Sequence, residues 1–280
     1  MKKKFNNKKY LKEIKKNGYC IIPNFFSNKS IEKMRNSLFD ILNYIKPDGE
    51  KDLQKKYLKI KNYNKILSGH WYDIAKQDIN LSQEIHKPEI IQIVKDYFKT
   101  DVVFSGRPSL HVIDDSNARL LQPHQEDKQL ARDFLLLWTP LFDTNHQNGG
   151  ISIFEGTHKH QYFHHTDKLH KVPHKCPQCQ VISPKLFAKN FSHKMSSNNE
   201  YINIIDPPIG KKFKKKDLEI KAGSLALLHS RLMHAGYPTR KKNSVRIVIS
   251  DRLCPLKKVP FLEDENALIR IPGADTVKYD

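Results

Sequence analysis

Cysteine is scarce: Cys20, Cys176, Cys179 and Cys254 are the only four in 280 residues. That is too few for a disulfide-built scaffold, so a fold has to rest on a hydrophobic core. No apolar stretch approaches the ~20 residues that span a bilayer, so no membrane partner is expected. No internal repeat and no Pro/Gly/Ser-rich linker interrupts the chain, which argues for one domain over 1–280. The opening MKKKFNNKKYLKEIKKNGY carries charge with no apolar segment behind it. A secretory signal is therefore not expected, and a cytoplasmic setting is. Acidic residues are the minority, 30 against 49 Lys and Arg, leaving a net charge of +19. Such an excess suits a polyanion such as nucleic acid. The positive charge is dispersed, however, over 1–16, 51–65, 211–221 and 239–242. The aromatic-basic interleaving of a single-strand groove is missing. Nucleic acid thus ranks below an anionic small molecule, and both rank below a plain solvated basic surface.

What is present is periodic. Tyr10, Leu11 and Ile14 recur at helical spacing. GYCIIPNFF (18–26) reads as a strand with a turn at Pro23-Asn24. Ser27 is placed to cap a helix over about 28–46, whose Ile31, Met34, Leu38, Ile41, Leu42 and Ile45 share one face. Residues 47–65 are charged and are expected to be irregular or weakly helical. Pro88 suits the first position of another amphipathic helix bearing Ile90, Ile91, Val94, Tyr97 and Phe98. From about 101 short β-rich runs follow: DVVFSG, SLHVID, ARLLQPH, DFLLLWTPLFD, GISIFEG, then LEIKAGSLALLHS and SVRIVISDRL. Helices followed by short strands point to a mostly β protein with flanking helices, a sandwich or barrel with the N-terminal helices packed on one side. The expected division is a helical part over 1–100, a β core over 101–156 and 217–253, and a tail over 254–280. The polar stretch 157–216, rich in His, Lys, Asn and Ser, reads as a lid-like insertion.

Chemistry concentrates in two places. LLQPHQEDKQLARDF (120–134) holds His124, Glu126 and Asp127. On a strand, residues i and i+2 share a face, so His124 and Glu126 converge while Asp127 points away. Imidazole with carboxylate suits a divalent first-row metal; a polar turn with a surface histidine is the competing reading. AGSLALLHSRLMHAGYPTRKKNSVRIVIS (222–250) holds His229, His234 and Arg246. Small residues leave room beside His234. Arg246 inside an apolar strand needs an anionic partner, because a lone buried charge is costly. That partner is either a structural Asp or Glu, or a bound carboxylate gripped bidentately. Two histidines and one carboxylate make the facial triad of non-haem Fe(II) oxygenases.

Four segments, in this order, resemble the phytanoyl-CoA dioxygenase family of Fe(II)/2-oxoglutarate-dependent oxygenases. They are NGYCIIPNFFSNKSIEKMRNSL, PHQED, LLLWTPLFDTNHQNGGISIFEGTHKH and GSLALLHSRLMHAGYPTRKKNSVRIVIS, together spanning about 10–253. The resemblance implies a double-stranded β-helix core, jelly-roll or cupin-like. It implies Fe(II) held by His124, Glu126 and His234, with 2-oxoglutarate as cosubstrate and O2 as oxidant. Arg246 matches the arginine that grips the far carboxylate of 2-oxoglutarate. Trp138 is a candidate wall of that pocket and equally a core aromatic. Glu126 stands where the family has Asp, and Asp127 becomes the ligand if the strand bulges by one residue. The carboxylates argue against the related halogenases, which give that position to chloride. The implied activity is hydroxylation of a small-molecule substrate with release of succinate and CO2. KKFKKK (211–216) favours an anionic one. Two alternatives remain: a non-catalytic β-helix protein that binds a metal or ligand, and a nucleic-acid-acting oxygenase or binder.

Other polar residues carry plainer expectations. His111, His229 and His158 read as structural before they read as ligands. Cys176-x-x-Cys179 with His170 and His174 offers a Cys2His2 zinc set, but the spacing is compressed and a loop with free thiols is the heavier expectation. The scattered His160, His164 and His165 read as solvated. Oligomeric state is not legible from the sequence.

Overall fold

Four side-chain oxygens explain why the N-terminal third is helical. Ser27, Asp52, Asn64 and Asp78 accept from the backbone N–H of Ser30, Lys55, Ile66 and Asn80 respectively. Each satisfies a first-turn donor that its helix leaves unpaired. They open α2 (Asn28–Ile45), α3 (Leu53–Tyr63), α4 (Lys65–Gln77) and α5 (Ile79–Ile85). The helix α1 (Asn7–Asn17) precedes them, and α6 (Pro88–Phe98) follows with proline in its first turn. The computed structural model describes residues 7–104, 108–114, 133–145, 147–159, 213–237, 239 and 241–256, and the backbone of 191–195 and 201–205.

Two expectations are corrected here. Residues 47–52 are irregular as expected, but 53–63 form the regular helix α3, which buries Leu53, Tyr57 and Ile60 as an i, i+4, i+7 stripe. Lys56 lies on the same buried face, its ammonium donating to Asp48 (2.5 Å) and Asn43 (3.2 Å). A charge in the stripe disguised the helix. The mostly β expectation also fails, since six helices fill most of the stretch before residue 99. The protein is an antiparallel β core with a full helical layer. None of the described helices is long and apolar enough to cross a membrane.

The strands are β1 (Tyr19–Ile22), β2 (Val102–Phe104), β3 (Ser109–Asp114), β4 (Leu135–Pro140), β5 (Gly150–Phe154), β6 (Phe191–Met195), β7 (Tyr201–Ile205), β8 (Lys215–Leu218), β9 (Leu225–His229), β10 (His234–Tyr237) and β11 (Val245–Pro255). A six-stranded sheet runs β1-β9-β4-β11-β2, with β3 also on β11; a three-stranded sheet runs β10-β5-β8. The expected 157–216 insertion contains the antiparallel pair β6–β7 and the start of β8. β11 continues past residue 253 into the expected tail. The run ARLLQPH lies outside the described residues.

Both faces of the six-stranded sheet are buried, which is why its central strands are continuously apolar. Leu135, Leu137, Leu225, Leu227, Ile247 and Ile249 face the helices. Leu136, Trp138, Ala226, Leu228 and Val248 pack with Ile151, Ile153 and Leu218 of the smaller sheet. Each such side chain contributes roughly 1.5–3 kcal/mol on burial. At the β1 edge the sheets are tied by polar groups. The Tyr19 hydroxyl donates to Glu155 (2.7 Å) and accepts from Lys216 (2.9 Å) of β8. The bond from Tyr19 holds the Glu155 carboxyl below its usual range, against the opposing pull of partial burial.

Gly18 joins α1 to this edge. Its φ is +89° and a Cβ would lie 2.6 Å from His158 Nδ1 and 2.8 Å from Leu232 Cδ1. Gly18→Ala is expected to cost about 2–4 kcal/mol, from left-handed strain plus overpacking. Denaturant unfolding would measure it; a loss under about 0.5 kcal/mol, the range of ordinary surface changes, would contradict the close approach.

Candidate functional site

The layer between the two sheets collects the polar groups that an apolar core does not explain. His234 opens β10 opposite Ile153 of β5, on the face that packs against the larger sheet. It is 6% exposed, and its Nδ1 lies 2.8 Å from the Leu232 carbonyl oxygen. A carbonyl only accepts, so Nδ1 is the donor in this bond and the orientation of the ring is fixed by it. Histidines that ligate metals are commonly held this way, by a carbonyl on the other ring nitrogen. The approach to β10 is itself pinned. The Thr157 hydroxyl accepts from Met233 N (2.9 Å) and donates to Phe154 O (2.7 Å), and Phe154 N donates to Met233 O (3.0 Å).

Arg246 enters the same layer from β11, opposite Ile113 of β3. Its guanidinium reaches the smaller sheet, donating to the Gly150 carbonyl at 2.5 Å, and is 5% exposed. The guanidinium carbon lies 5.8 Å from the ring centroid of Trp138, itself 5% exposed. Arg246, Val248 and Ser250 succeed one another at i+2 spacing on this inner face. Ser250 sits opposite Trp138. Its buried hydroxyl has no hydrogen-bond partner among the described residues. Sequence reasoning missed Ser250, the hydroxyl that ends VRIVIS.

The structure thus brings Arg246 and Trp138 together and sets His234 in the same inter-sheet layer. His124, Glu126 and Asp127 lie outside the described residues, as do His170, His174, Cys176, Cys179, His160, His164 and His165. Among the described residues no three His, Cys, Asp or Glu side chains converge. His229 pairs with Leu135 and so faces the helices, away from His234. Its Nδ1 accepts from Arg231 N at 3.0 Å. His158 is buried in the turn Thr157–Lys159 and meets the Lys15 carbonyl through Nε2 at 3.1 Å. His111, opposite Val248, is exposed.

A family model described as phytanoyl-CoA dioxygenase (PhyH) matches residues 14–246. Among solved structures, the epimerase SnoN in complex with Fe3+, alpha ketoglutarate and nogalamycin RO has a TM-score of 0.58 at 11% identity, over 98% of this chain and 95% of its own. The alpha ketoglutarate-dependent carbocyclase SnoK from nogalamycin biosynthesis has a TM-score of 0.56 at 15% identity, over 89% and 83%. EctD from S. alaskensis, with 2-oxoglutarate and 5-hydroxyectoine, has a TM-score of 0.53 at 11% identity, over 89% and 76%. At such identities the likeness is one of fold. No curated protein sequence matches the chain.

Proposed function

The chain belongs to the phytanoyl-CoA dioxygenase family, and from that premise we propose an Fe(II)/2-oxoglutarate-dependent oxygenase that hydroxylates a small molecule with release of succinate and CO2. The observation that carries this reading is the pairing of polar groups between the sheets. His234 is a buried imidazole whose Nδ1 is held by the Leu232 carbonyl, and Arg246 crosses from one sheet to the other beside Trp138. That donor set fits a divalent metal and an anionic chelator.

In this reading His124, Glu126 and His234 hold the iron, while Arg246 and Trp138 receive 2-oxoglutarate. When bound, iron and 2-oxoglutarate supply the oxidising chemistry, in which O2 is consumed and the 2-oxo acid becomes succinate. The chain supplies position and dryness. The Leu232 carbonyl holds the His234 ring in one orientation. Arg246 presents a rigid fork that matches a carboxylate, steadied by the Gly150 carbonyl. Trp138 and the inner Leu, Ile and Val side chains exclude water, which strengthens every charge interaction inside.

We read the two sheets as a double-stranded β-helix within a single domain, because the chain passes between them repeatedly. β4, β9 and β11 lie in the larger sheet, and β5, β8 and β10 in the smaller. The relatives include an epimerase and a carbocyclase, so hydroxylation is the part of the proposal that most needs a substrate. The basic run 211–216 favours an anionic substrate, and the scarcity of cysteine favours a cytoplasmic setting. The test needs no substrate. Fe(II) and 2-oxoglutarate added without oxygen are expected to give the visible metal-to-ligand charge-transfer band of the chelate. A folded protein with no band would sink the reading.

A further inference from the structure

Five lysines border one shallow, open depression of about 620 Å³ on the outside of the molecule: Lys8, Lys12, Lys15 and Lys16 of α1, and Lys159 of the turn after β5; its wall is formed mainly by their aliphatic stems and Leu11, with the ammonium groups free to swing over it. Several lysines elsewhere on the surface have carboxylate partners. Lys33 meets Glu84, Lys59 meets Glu50, Lys95 meets Asp101, Lys215 meets Asp217 and Lys221 meets Asp143. Lys9 of α1, not among the groove residues, pairs with Glu13. The five lysines of the groove form no ion pair among the described residues, and no acidic side chain lines it.

Two plain explanations fall short. The helix dipole accounts for cations in the last turn of α1, Lys15 and Lys16, but not for Lys8 in the first turn. A merely solvated helix face accounts for the stripe on α1, but not for Lys159, which a distant element brings to the same space. Two hydrogen bonds hold that element against α1. Gly156 N donates to Asn17 O (3.0 Å), and His158 Nε2 donates to Lys15 O (3.1 Å). A concave space ringed by one sign of charge concentrates counter-ions.

We propose that this groove binds a compact polyanion, a di- or triphosphate group, away from the layer between the sheets. Lysine rather than arginine lines it, giving mobile point charges that suit phosphate without requiring a planar fork. Among the described residues no aromatic side chain lines it to stack a base, which favours the phosphate group itself over a nucleic-acid strand. The site does not depend on the iron reading. It does adjoin it in the chain: the turn that carries Lys159 also carries Thr157, whose hydroxyl holds Met233 next to His234.

The test is calorimetric titration of the full chain with tripolyphosphate, with ATP and with a single-stranded oligonucleotide, all without iron or 2-oxoglutarate. Two triple variants remove the same charge: Lys12→Gln/Lys16→Gln/Lys159→Gln in the groove, and Lys33→Gln/Lys76→Gln/Lys95→Gln elsewhere. The groove variant is expected to bind tripolyphosphate at least about ten-fold more weakly, and the other to match wild type. ATP binding like tripolyphosphate marks a free anion as ligand. ATP binding more than ten-fold tighter marks a phosphate carried on an organic group. Equal losses in both variants, no loss in either, or an oligonucleotide outbinding tripolyphosphate ten-fold would each overturn the proposal. The groove variant keeping the iron–2-oxoglutarate band separates this result from the fate of the oxygenase reading.

Discussion

His234→Ala is expected to abolish the anaerobic chelate band and to cut 2-oxoglutarate consumption by more than about 100-fold. Loss of an outer hydrogen-bond partner of a metal ligand already costs 10–100-fold, so loss of the ligand itself exceeds that range. Circular dichroism guards against the trivial outcome, because removing a buried ring leaves a cavity that costs a few kcal/mol in a core of this kind. The same measurement decides between the adjacent carboxylates. Glu126→Ala is expected to lose the band, Glu126→Asp to weaken it, and Asp127→Ala to leave it. A band that survives Glu126→Ala and vanishes in Asp127→Ala would make Asp127 the ligand. A band that survives His234→Ala would remove this residue from the metal site altogether.

The second large effect concerns Arg246. Arg246→Met is expected to weaken 2-oxoglutarate binding by about 10²–10³-fold. Removing one partner of a buried ion pair typically costs 3–5 kcal/mol, and 1.4 kcal/mol is a factor of ten. Arg246→Lys is expected to recover only part of this, since an ammonium cannot present two parallel N–H groups to one carboxylate. Thermal unfolding with and without the cosubstrate gives the readout. With Fe(II) present in excess, 2-oxoglutarate raises the midpoint of the wild-type protein and leaves the methionine variant unmoved. The variant also strands the Gly150 carbonyl that Arg246 now satisfies, a separate cost of about 1–3 kcal/mol that appears without ligand. Equal stabilisation of both proteins by 2-oxoglutarate would assign Arg246 a purely structural role.

How far the sequence showed all this depends on what each element buries. α2 and α6 were legible because their apolar residues sit on one uninterrupted stripe behind Ser27 and Pro88. α3 was hidden by Lys56, an ammonium on the core side that only its partners Asp48 and Asn43 explain. α4 and α5 were hidden for the opposite reason: Ile66, Ile74 and Ile79 are exposed, so the apolar pattern points the wrong way. β3 matched SLHVID residue for residue. β8, the run KKDL, buries only Leu218 and owes its place to pairing with β5. Arg246 stood out because a guanidinium in an apolar strand demands an explanation, and Trp138 only through the family resemblance. Ser250 passed unnoticed because a small hydroxyl among branched side chains resembles an ordinary strand residue.

The order of the larger sheet has a consequence for synthesis. β1 touches β9, β4 lies between β9 and β11, and both β2 and β3 touch β11. No two of the early strands β1 to β4 pair with one another. While the ribosome is still translating the middle of the chain, each early strand has unpaired edges, and the sheet assembles only after β9 and β11 have emerged. Sheets built from such distant pairings fold slowly, and their waiting edges are where nascent chains stick to one another. The helices are built from more local contacts, so they are expected to gather into a layer before β9 and β11 close the sheet against them.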